Sequence, residues 1–540
     1  RFDGLVDVLP LRQRRVAGGL DVLQRGEDGA GVFLADYTLF GEHHHVCAVD
    51  REVRREDALV GRKRGEEVPG RAAGKAVAAS SVWIVTWWMT ESIPIPATSL
   101  LPLVLFPAAA GLDPGVASKP YANDLIFLFM GGFFLAVSFQ RWNLHRRIAL
   151  RTIKLIGSSP KLIILGFMVS TAFLSMWISN TATTVMVTPI GLAVTLQVRD
   201  LITERNLDVP TAKGEFNFGS ALLLAIAYSA TLGGIGTLIG TPPNIVFAGI
   251  VGDLFGRDIG FAQWMWYGMP IAIFGVLIAW LYITKIALKP RIDEIPGGLE
   301  VIDRQLEGLG PITTAERRIL VVFTVTALAW LIRKPVLNEF LPFVGDSTIA
   351  IAAAMVLFLT PAGTETDGSG RFLLDWTTGL KIPWGVILLF GGGLSMANAL
   401  SETGLAEWIG HGLTILDGVP MVVLLAAVVI ITSFISEVAS NTATATMMMP
   451  ILAGLAIGLE VHPFALMIAG ATAASVVFML PVSTPPNSVV FGSGYITVPE
   501  MFRVGLGLKV IGLLFVIAIA MFWLPIAWNI DISTLPTWAI

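Results

Sequence analysis

A short polar motif occurs twice, each time inside an apolar stretch that is too long to be one membrane helix. It reads Ser-Asn-Thr-Ala-Thr at 179–183 and again at 440–444. The stretch 162–198 contains no charged residue and the stretch 420–459 contains only Glu437, whereas one span needs about 20 apolar residues. Each stretch must therefore turn back or break at its motif, because irregular backbone persists at membrane depth only where it is buried or lines a cavity.

The composition is that of a membrane protein. Hydrophobic residues make up 54% of the 540 residues and charged residues only 14%, against a usual charged share of about 25%. We therefore expect an all-α polytopic protein of the plasma (inner) membrane, in contact with the lipid bilayer. The single cysteine, Cys47, excludes an internal disulfide framework. The net charge of −4 is small for this length and gives no support to a nucleic-acid partner.

Four parts are distinguished along the chain. Residues 1–75 form a polar N-terminal extension without an apolar span, which we expect to be disordered. A metal site at the histidines 43–45 is the alternative, although adjacent side chains cannot converge on one ion without a fold around them. Residues 76–288 and 319–540 are the two membrane halves. They are joined by a charged linker at 289–318, whose Lys and Arg content predicts a cytoplasmic position.

The second half repeats the motifs of the first in the same order. The motif asparagines are 261 residues apart (441 − 180), and the glycine pairs are 260 apart (391 − 131). The asparagines of two Thr-Pro-Pro-Asn motifs are 243 apart (487 − 244). An amphipathic stretch follows each glycine pair, at 141–154 and at 403–416. Three matches in one order indicate an internal repeat, and breaks at matching positions of two halves are typical of a transporter binding site.

The two motifs of each half are rich in hydroxyls, carboxamides and freed backbone groups, and they contain no Lys or Arg. Carbonyls of an unwound helix can replace the hydration shell of a hard cation, and the half-helix beyond the break directs its N–H groups towards an anion. This combination favours an anion that is held together with sodium. The alternative is structural, since Ser and Thr hydrogen-bond membrane helices to one another and Pro-Pro pairs end helices.

Glu437 is an ionisable residue inside an apolar stretch, and such a residue is a functional hypothesis in itself. It lies four residues before Asn441, where the first copy has Met176. A proton relay, an effect on the second cation site and a structural role all stay open. A membrane-embedded enzyme would need clustered acids or histidines, and only Glu437 and Glu91 approach that. Because the sequence also has no P-loop or CxxC pair, neither an enzyme nor an organic cofactor is predicted.

The chain resembles the divalent anion:sodium symporter family, the dicarboxylate and sulfate carriers, over residues 76–535. The resemblance rests on TESIPIPATSLLPLVLFP at 90–107, the two SNT motifs, GTPPN, and LPVSTPPNSVVFGSG at 480–494. It implies two inverted repeats with re-entrant helical hairpins and broken helices. It further implies a scaffold plus a transport domain in each protomer, a homodimer, and movement of the transport domain as an elevator.

The resemblance also implies site residues. Those that would hold the substrate at the hairpin tips or face it from the breaks are Ser179, Asn180, Thr181, Thr241, Pro242, Ser440, Asn441, Thr442, Thr484 and Pro485. The first sodium ion would be held by Ser175, Ser179, Asn180 and Gly240. The second would be held by Ser436, Ala439, Asn441 and Ser483, mostly through backbone oxygens. Ser483 adds a hydroxyl at a position where small residues are common in the family.

We therefore expect sodium-coupled import of C4-dicarboxylates such as succinate, fumarate or malate. Sulfate is the rival substrate within the family, because both anions take N–H and O–H donors. An obligate dicarboxylate exchanger without net sodium coupling is a second alternative. A membrane sensor that binds the anion without transporting it is a third.

Overall fold

The described residues of this computed structural model are 12–16, 20–24, 70–205, 208–292, 300–363, 372–405, 408 and 418–539. The chain forms two compact units, residues 1–69 and 70–540. In the first unit, β1 (Arg12–Val16) and β2 (Leu20–Gln24) pair as an antiparallel hairpin. The histidines at 43–45 and Cys47 lie outside the described residues, as does most of the extension, so its predicted disorder stays a prediction.

The first half of the second unit runs from Gly70 to a long helix that ends before the linker. Its helices are α1 (Gly70–Thr90), α2 (Ile95–Thr98), α3 (Pro102–Ala110), α4 (Pro114–Ser118), α5 (Asp124–Arg141), α6 (Leu144–Ile156), α7 (Pro160–Ser175), α8 (Asn180–Glu204), α9 (Asn217–Gly234), α10 (Pro242–Phe255) and α11 (Phe261–Tyr282). A 3-10 turn at Lys119–Ala122 precedes α5, and a π turn at Ile283–Ala287 extends α11.

In the described part of the linker lies the helix α12, and the second half follows it. The helices are α12 (Glu300–Gly308), α13 (Thr314–Ile332), α14 (Asn338–Phe340), α15 (Asp346–Leu359), α16 (Trp376–Gly379), α17 (Trp384–Glu402), α18 (Met421–Val438), α19 (Asn441–Gly458), α20 (Pro463–Ala474), α21 (Pro485–Phe491), α22 (Val498–Ala518) and α23 (Leu524–Trp528). π turns at Arg333–Leu337 and Ile519–Trp523 extend α13 and α22, and a 3-10 turn lies at Thr537–Ala539.

Seven of the described helices are long and apolar enough to cross a membrane. They are Pro114–Arg141, Asn180–Glu204, Phe261–Ala287, Thr314–Phe340, Trp384–Glu402, Met421–Val438 and Val498–Trp528. From Gly70 onward every described element is helical, apart from an isolated bridge between Pro361 and Phe372. The prediction of an all-α polytopic membrane protein is confirmed.

The segment boundaries differ slightly from those expected. The first helix of the second unit begins at Gly70, six residues before the expected start at 76 (76 − 70), and α13 begins at Thr314 rather than at 319. The basic stretch after the first glycine pair forms the separate helix α6, as its amphipathic pattern predicts. Most of its expected counterpart at 403–416 lies outside the described residues.

Each polar motif lies at the tip of a helical hairpin. In the first, α7 has 16 residues, so at 1.5 Å per residue it reaches about 24 Å and stops short of the roughly 30 Å hydrocarbon core. Ser179 then caps α8, its hydroxyl accepting the N–H of Ala182 at 3.3 Å. The second hairpin is formed by α18 and α19, which flank Ala439 and Ser440. The chain breaks where the motifs predict.

The second arm of each broken helix packs on the hairpin of the other half. In each half one helix is interrupted, between α9 and α10 and between α20 and α21, and a Pro-Pro pair starts the second arm. Pro has no N–H and prevents the first arm from continuing. The arm α10 packs on α19 of the second hairpin, and α21 packs on α8 of the first. This reciprocal packing is what two repeats related by a twofold axis produce.

The buried apolar residues form a larger and a smaller core. The smaller core is formed mainly by α1, α3 and α17, through Val77, Ile84, Trp88, Phe106, Leu389, Met396, Ala399, Leu400 and Ala443. The larger core contains most buried apolar residues of both hairpins and both broken helices, and it also contains Phe390, Leu394 and Ala397 of α17. The helices α1, α3 and α17 are called the scaffold group below, and α7–α11 with α18–α22 are called the hairpin group.

Candidate functional site

The tip of the first hairpin meets the first broken helix through Ser175 and Asn180. Ser175 is the last residue of α7 and is buried. Its hydroxyl donates to the carbonyl of Ala230 in α9 at 2.7 Å and lies 2.6 Å from Asn180 Oδ1. Ser175 and Asn180 are thereby brought next to Ala230, which is distant from both in sequence. We call Ser175, Asn180, Ala230 and Gly240 the first cage.

The inward-facing atom of the Asn180 carboxamide is surrounded by oxygens. It lies 2.6 Å from Ser175 Oγ, 3.1 Å from the carbonyl of Ala230 and 3.2 Å from the carbonyl of Gly240. If this atom is Nδ2, the carboxamide donates hydrogen bonds to these groups. If it is Oδ1, four oxygens converge with a single hydroxyl proton among them, that of Ser175, and a bound cation would offset their repulsion. Hydroxyl, carboxamide and carbonyl oxygens are the ligands that hard cations prefer, so the residues present fit sodium.

Two glycines make the first cage possible. A Cβ atom on Gly240 would collide with the carbonyl oxygen of Gly234, and one on Gly234 would collide with Asn180 Oδ1. The backbone on both sides of the break therefore approaches the carboxamide more closely than any other residue allows. This is how the carbonyl of Gly240 reaches the cage.

The second hairpin repeats this geometry. Ser436 Oγ donates to the carbonyl of Ala474, the last residue of α20, at 2.6 Å and lies 3.1 Å from Asn441 Oδ1. The serines are 261 residues apart (436 − 175), as are the asparagines. The structure thus joins each predicted serine to its predicted asparagine in both halves. We call Ser436, Asn441 and Ala474 the second cage.

The second cage differs from the first at the position of Gly240, which Ser483 occupies. The Ser483 hydroxyl donates to the carbonyl of Leu480 at 2.7 Å and accepts from Asn487 Nδ2 at 3.1 Å. The added hydroxyl therefore braces the break. Ala439 directly follows the last residue of α18, and its N–H donates to the carbonyl of Ile435 at 3.0 Å. The assignment of Ser483 and Ala439 as sodium ligands stays a prediction.

The predicted substrate residues are not equally accessible. Thr241 and Thr484 are buried where they precede α10 and α21, and Thr442 is buried after the second tip. Thr181 and Pro485 are exposed. The remaining predicted members, which are half-buried, are Ser179, Asn180, Pro242, Ser440 and Asn441. The first N–H groups of α8 and α19 have no intrahelical partner, so both tips offer N–H donors to an anion.

The asparagine of each Thr-Pro-Pro-Asn motif is a residue that the sequence argument did not assign to the site. Asn244 Nδ2 donates to the carbonyls of Gly234 at 3.1 Å and Thr237 at 2.7 Å. Asn487 Nδ2 donates to the carbonyl of Leu480 at 3.0 Å. Both asparagines are buried, and each holds its unwound segment in place. Both asparagines occupy the same position in a duplicated motif, and this repetition was the sequence signal that could have assigned them to the site.

Lys509 is the second residue that was missed. It lies in the middle of α22 and pairs with Glu437, with Nζ 2.7 Å from Oε2. The two side chains are 0% and 3% exposed. A lysine within an otherwise apolar span such as 504–528 is itself a sign of a partner at membrane depth, but the sequence does not say which acid it meets.

Two re-entrant hairpins, two broken helices and an oxygen cage at each break define the protein as a secondary-transporter fold. The model of the sodium:sulfate symporter transmembrane region matches residues 71–529. The chain belongs to this family, and the predicted resemblance is confirmed.

The chain is similar in sequence to named relatives and similar in fold to two solved structures. The sodium-dependent dicarboxylate transporter SdcS of Staphylococcus saprophyticus is 43% identical over 462 residues, which cover 85% of this chain and 88% of the relative. SdcS of Staphylococcus aureus is 44% identical over the same shares. The fold is similar to the YdaH transporter of Alcanivorax borkumensis, with a TM-score of 0.57 and 14% identity over 83% of this chain and 99% of that one. MtrF of Neisseria gonorrhoeae has a TM-score of 0.50 and 13% identity over 75% and 83%.

Proposed function

We propose that the protein couples the entry of sodium to the import of C4-dicarboxylates such as succinate, fumarate or malate. The observation that carries the proposal is the repeated cage, in which a buried serine and a motif asparagine meet a carbonyl of a broken helix. The staphylococcal relatives, which are named as sodium-dependent dicarboxylate transporters, support the coupling ion and the substrate class.

Charge balance explains why the anion and sodium bind together. A C4-dicarboxylate is a dianion, and the residues that we assign to it carry no positive side chain. One carboxylate lies at each hairpin tip, held by the N–H groups that begin α8 and α19 and by the hydroxyls of Thr181 and Thr442. Sodium ions in the two cages supply the compensating charge. Sodium binding therefore raises the affinity for the dianion, and both cross together.

We propose that the transport movement occurs at the boundary between the scaffold group and the hairpin group. The smaller core, which is formed mainly by the scaffold group, supports this division, while α17 also packs into the larger core. At this boundary Gly249 of α10 lies against the apolar side chains of Phe390 and Leu394 of α17. Non-directional apolar contacts can slide past one another more readily than hydrogen-bonded ones, which suits an elevator motion. The homodimer that the family resemblance implies belongs to the same proposal.

Two rival functions share these tips. The family's description names sulfate, and sulfate takes the same N–H and O–H donors as a carboxylate. We favour dicarboxylates because two hairpin tips suit an anion with a charge at each end, and because of the relatives' names. An obligate exchanger would use the same tips but would differ in the cation ligands, so substitutions of Ser175 and Ser436 would leave its transport nearly unchanged.

Uptake of radiolabelled succinate into proteoliposomes tests the proposal. Vesicles receive an inward sodium gradient or an equal potassium gradient, with and without excess sulfate. We expect accumulation only with sodium, and little inhibition by sulfate. Equal uptake in both salts, seen only in vesicles that are preloaded with dicarboxylate, would identify an exchanger. Strong inhibition by sulfate, together with labelled sulfate uptake, would identify a sulfate carrier.

A further inference from the structure

A buried ion pair lies beside the second cage. Lys509 Nζ in α22 is 2.7 Å from Glu437 Oε2 in the last turn of α18. The ammonium also donates to the carbonyl of Ser433 at 2.9 Å and lies 4.6 Å from the centroid of the Phe434 ring. Both side chains are almost fully buried. Their charges are satisfied by each other and by the backbone, so neither is free to bind an ion or substrate directly.

The face of α18 that carries Glu437 also binds the unwound segment between α20 and α21. Glu437 Oε1 accepts the N–H groups of Met479 at 2.5 Å and Leu480 at 3.3 Å. Ser433 Oγ donates to the carbonyl of Val476 at 2.8 Å. This face also carries the serine of the second cage, which binds the last carbonyl of α20. The unwound segment and the cage are thus fixed by one set of neighbouring side chains.

The first half has apolar residues at the matching positions of its hairpin. With the repeat distance of 261, Ser433 corresponds to Ala172 (433 − 261) and Glu437 to Met176 (437 − 261). There the first break is bonded instead by the hydroxyl of Thr237, which donates to the carbonyl of Met176. The two halves therefore fix equivalent breaks by different means.

The helices that follow the two broken helices, α11 and α22, align through a pair of glycines. A Cβ on Gly268 in α11 would collide with the carbonyl of Ile235, and one on Gly505 in α22 would collide with the carbonyl of Phe478. Each glycine thus abuts the break of its own half, and the two are 237 residues apart (505 − 268). At that distance Lys509 corresponds to Ala272 (509 − 237). Three contacting polar residues of the second half are all apolar in the first.

We propose that Glu437 and Lys509 are positioning residues that set the sodium affinity of the second cage. This inference rests on the proposed function. The carboxylate holds the N–H groups of residues 479 and 480, and Lys509 ties that carboxylate to α22. The segment that follows Ala474 is thereby held at a fixed distance from Ser436 and Asn441. Loss of the pair lets this segment shift and loosens the second cage, while the first cage keeps its own bonding.

Binding of labelled sodium to the purified protein is the direct test, since it does not require coupled transport. The test variant is Glu437→Met with Lys509→Ala, which installs the residues of the first half at both positions. Groups that orient metal ligands change metal affinity by about 10- to 100-fold when they are removed. We expect weakening in this range for one class of sodium sites and an unchanged second class. Succinate affinity at saturating sodium should stay within about threefold of the wild type.

A second variant covers the case in which the double substitution does not fold. Glu437→Asp keeps the charge but withdraws the carboxylate from the 479 and 480 N–H groups, and it should weaken the same class of sodium sites. The matched control is Arg147→Met with Glu316→Gln, which removes a buried pair of 2.7 Å outside the cages. It should lower thermal stability and leave sodium affinity unchanged.

Wild-type sodium affinity in a folded Glu437→Met/Lys509→Ala protein, or in Glu437→Asp, would overturn the inference. An equal loss of sodium affinity in the control would also overturn it, because the effect would then follow from destabilisation alone. If the wild type binds sodium but shows no sodium-driven succinate uptake, the proposed function fails and this binding test still decides the inference.

Discussion

Substitution of Asn180 distinguishes a carboxamide that binds sodium from one that only closes the first cage with hydrogen bonds. Its inward-facing atom lies 2.6–3.2 Å from three oxygens. A hydrogen bond or comparable contact with a charged group contributes about 1.5–3 kcal/mol. At about 1.4 kcal/mol per decade, Asn180→Ala should weaken sodium binding about 10- to 150-fold.

Asn180→Asp gives the sharper result. If Oδ1 is a sodium ligand, aspartate keeps an oxygen there and adds a charge, so sodium binding should stay within about threefold of the wild type or tighten. If Nδ2 faces inward in the sodium-bound protein, aspartate replaces a donor with an acceptor among oxygens and should be as damaging as alanine.

The assay is binding of labelled sodium to the purified protein, followed by sodium-dependent succinate uptake. Asn217→Ala is the matched control, because Asn217 donates to the carbonyl of Lys289 at 3.1 Å at an exposed site on α9. Asn441→Ala and Asn441→Asp give the same comparison in the second cage. Equal losses for alanine and aspartate at Asn180 would refute its assignment as a sodium ligand, and wild-type binding in Asn180→Ala would refute the first cage itself.

The remaining predictions concern the break, an ion cluster and pH. Gly240→Ala should abolish sodium-dependent uptake while Gly256→Ala, at a helix end, does not; near wild-type uptake in Gly240→Ala would contradict the packing argument. Arg333 binds buried Asp346 at 2.7 Å and exposed Asp258 at 2.9 Å, so Asp346→Asn should destabilise by about 3–5 kcal/mol and Asp258→Asn by about 1 kcal/mol or less. Thermal unfolding in detergent measures both, and equal losses would contradict the difference in burial. Burial lowers the pKa of His462 from 6.5 to about 4, and its neutral Nδ1 accepts from Phe464 N at 3.2 Å. Stability should therefore be full above about pH 6.5 and fall as the pH drops towards 4; His462→Asn should flatten this profile, and an unchanged profile would exclude His462 as its source.

Much of the fold could be predicted because its main features are local in sequence. An uncharged stretch of nearly twice the length of a span must turn, and a Pro-Pro pair must begin a new helix arm. Equal motif spacing then predicts a repeated arrangement, and the Ser175–Asn180 and Ser436–Asn441 contacts agree with it. These pairs are five residues apart, so one hairpin tip suffices to bring them together.

The contacts that were missed join residues far apart in sequence. Lys509 meets Glu437 across 72 residues, and Arg147 meets Glu316 across 169. No local pattern specifies such partners, since they depend on which helices pack side by side. The hydrogen bonds from Asn244 and Asn487 to the unwound segments were missed for another reason. A polar side chain in a motif can bind either the backbone or a ligand, and the sequence alone does not distinguish these two roles.

The exchange of helix arms between the halves has a consequence for biosynthesis. Helix α8 begins at Asn180 and its partner α21 begins at Pro485, so 305 residues (485 − 180) separate their synthesis. At about 5–20 residues per second, the first hairpin waits about 15–60 s for this neighbour. During that interval α8 is already made but lacks the arm that later packs against it. The first cage needs only residues up to Gly240, so the late event on the ribosome is the packing of α21 on α8 and not the completion of the cage.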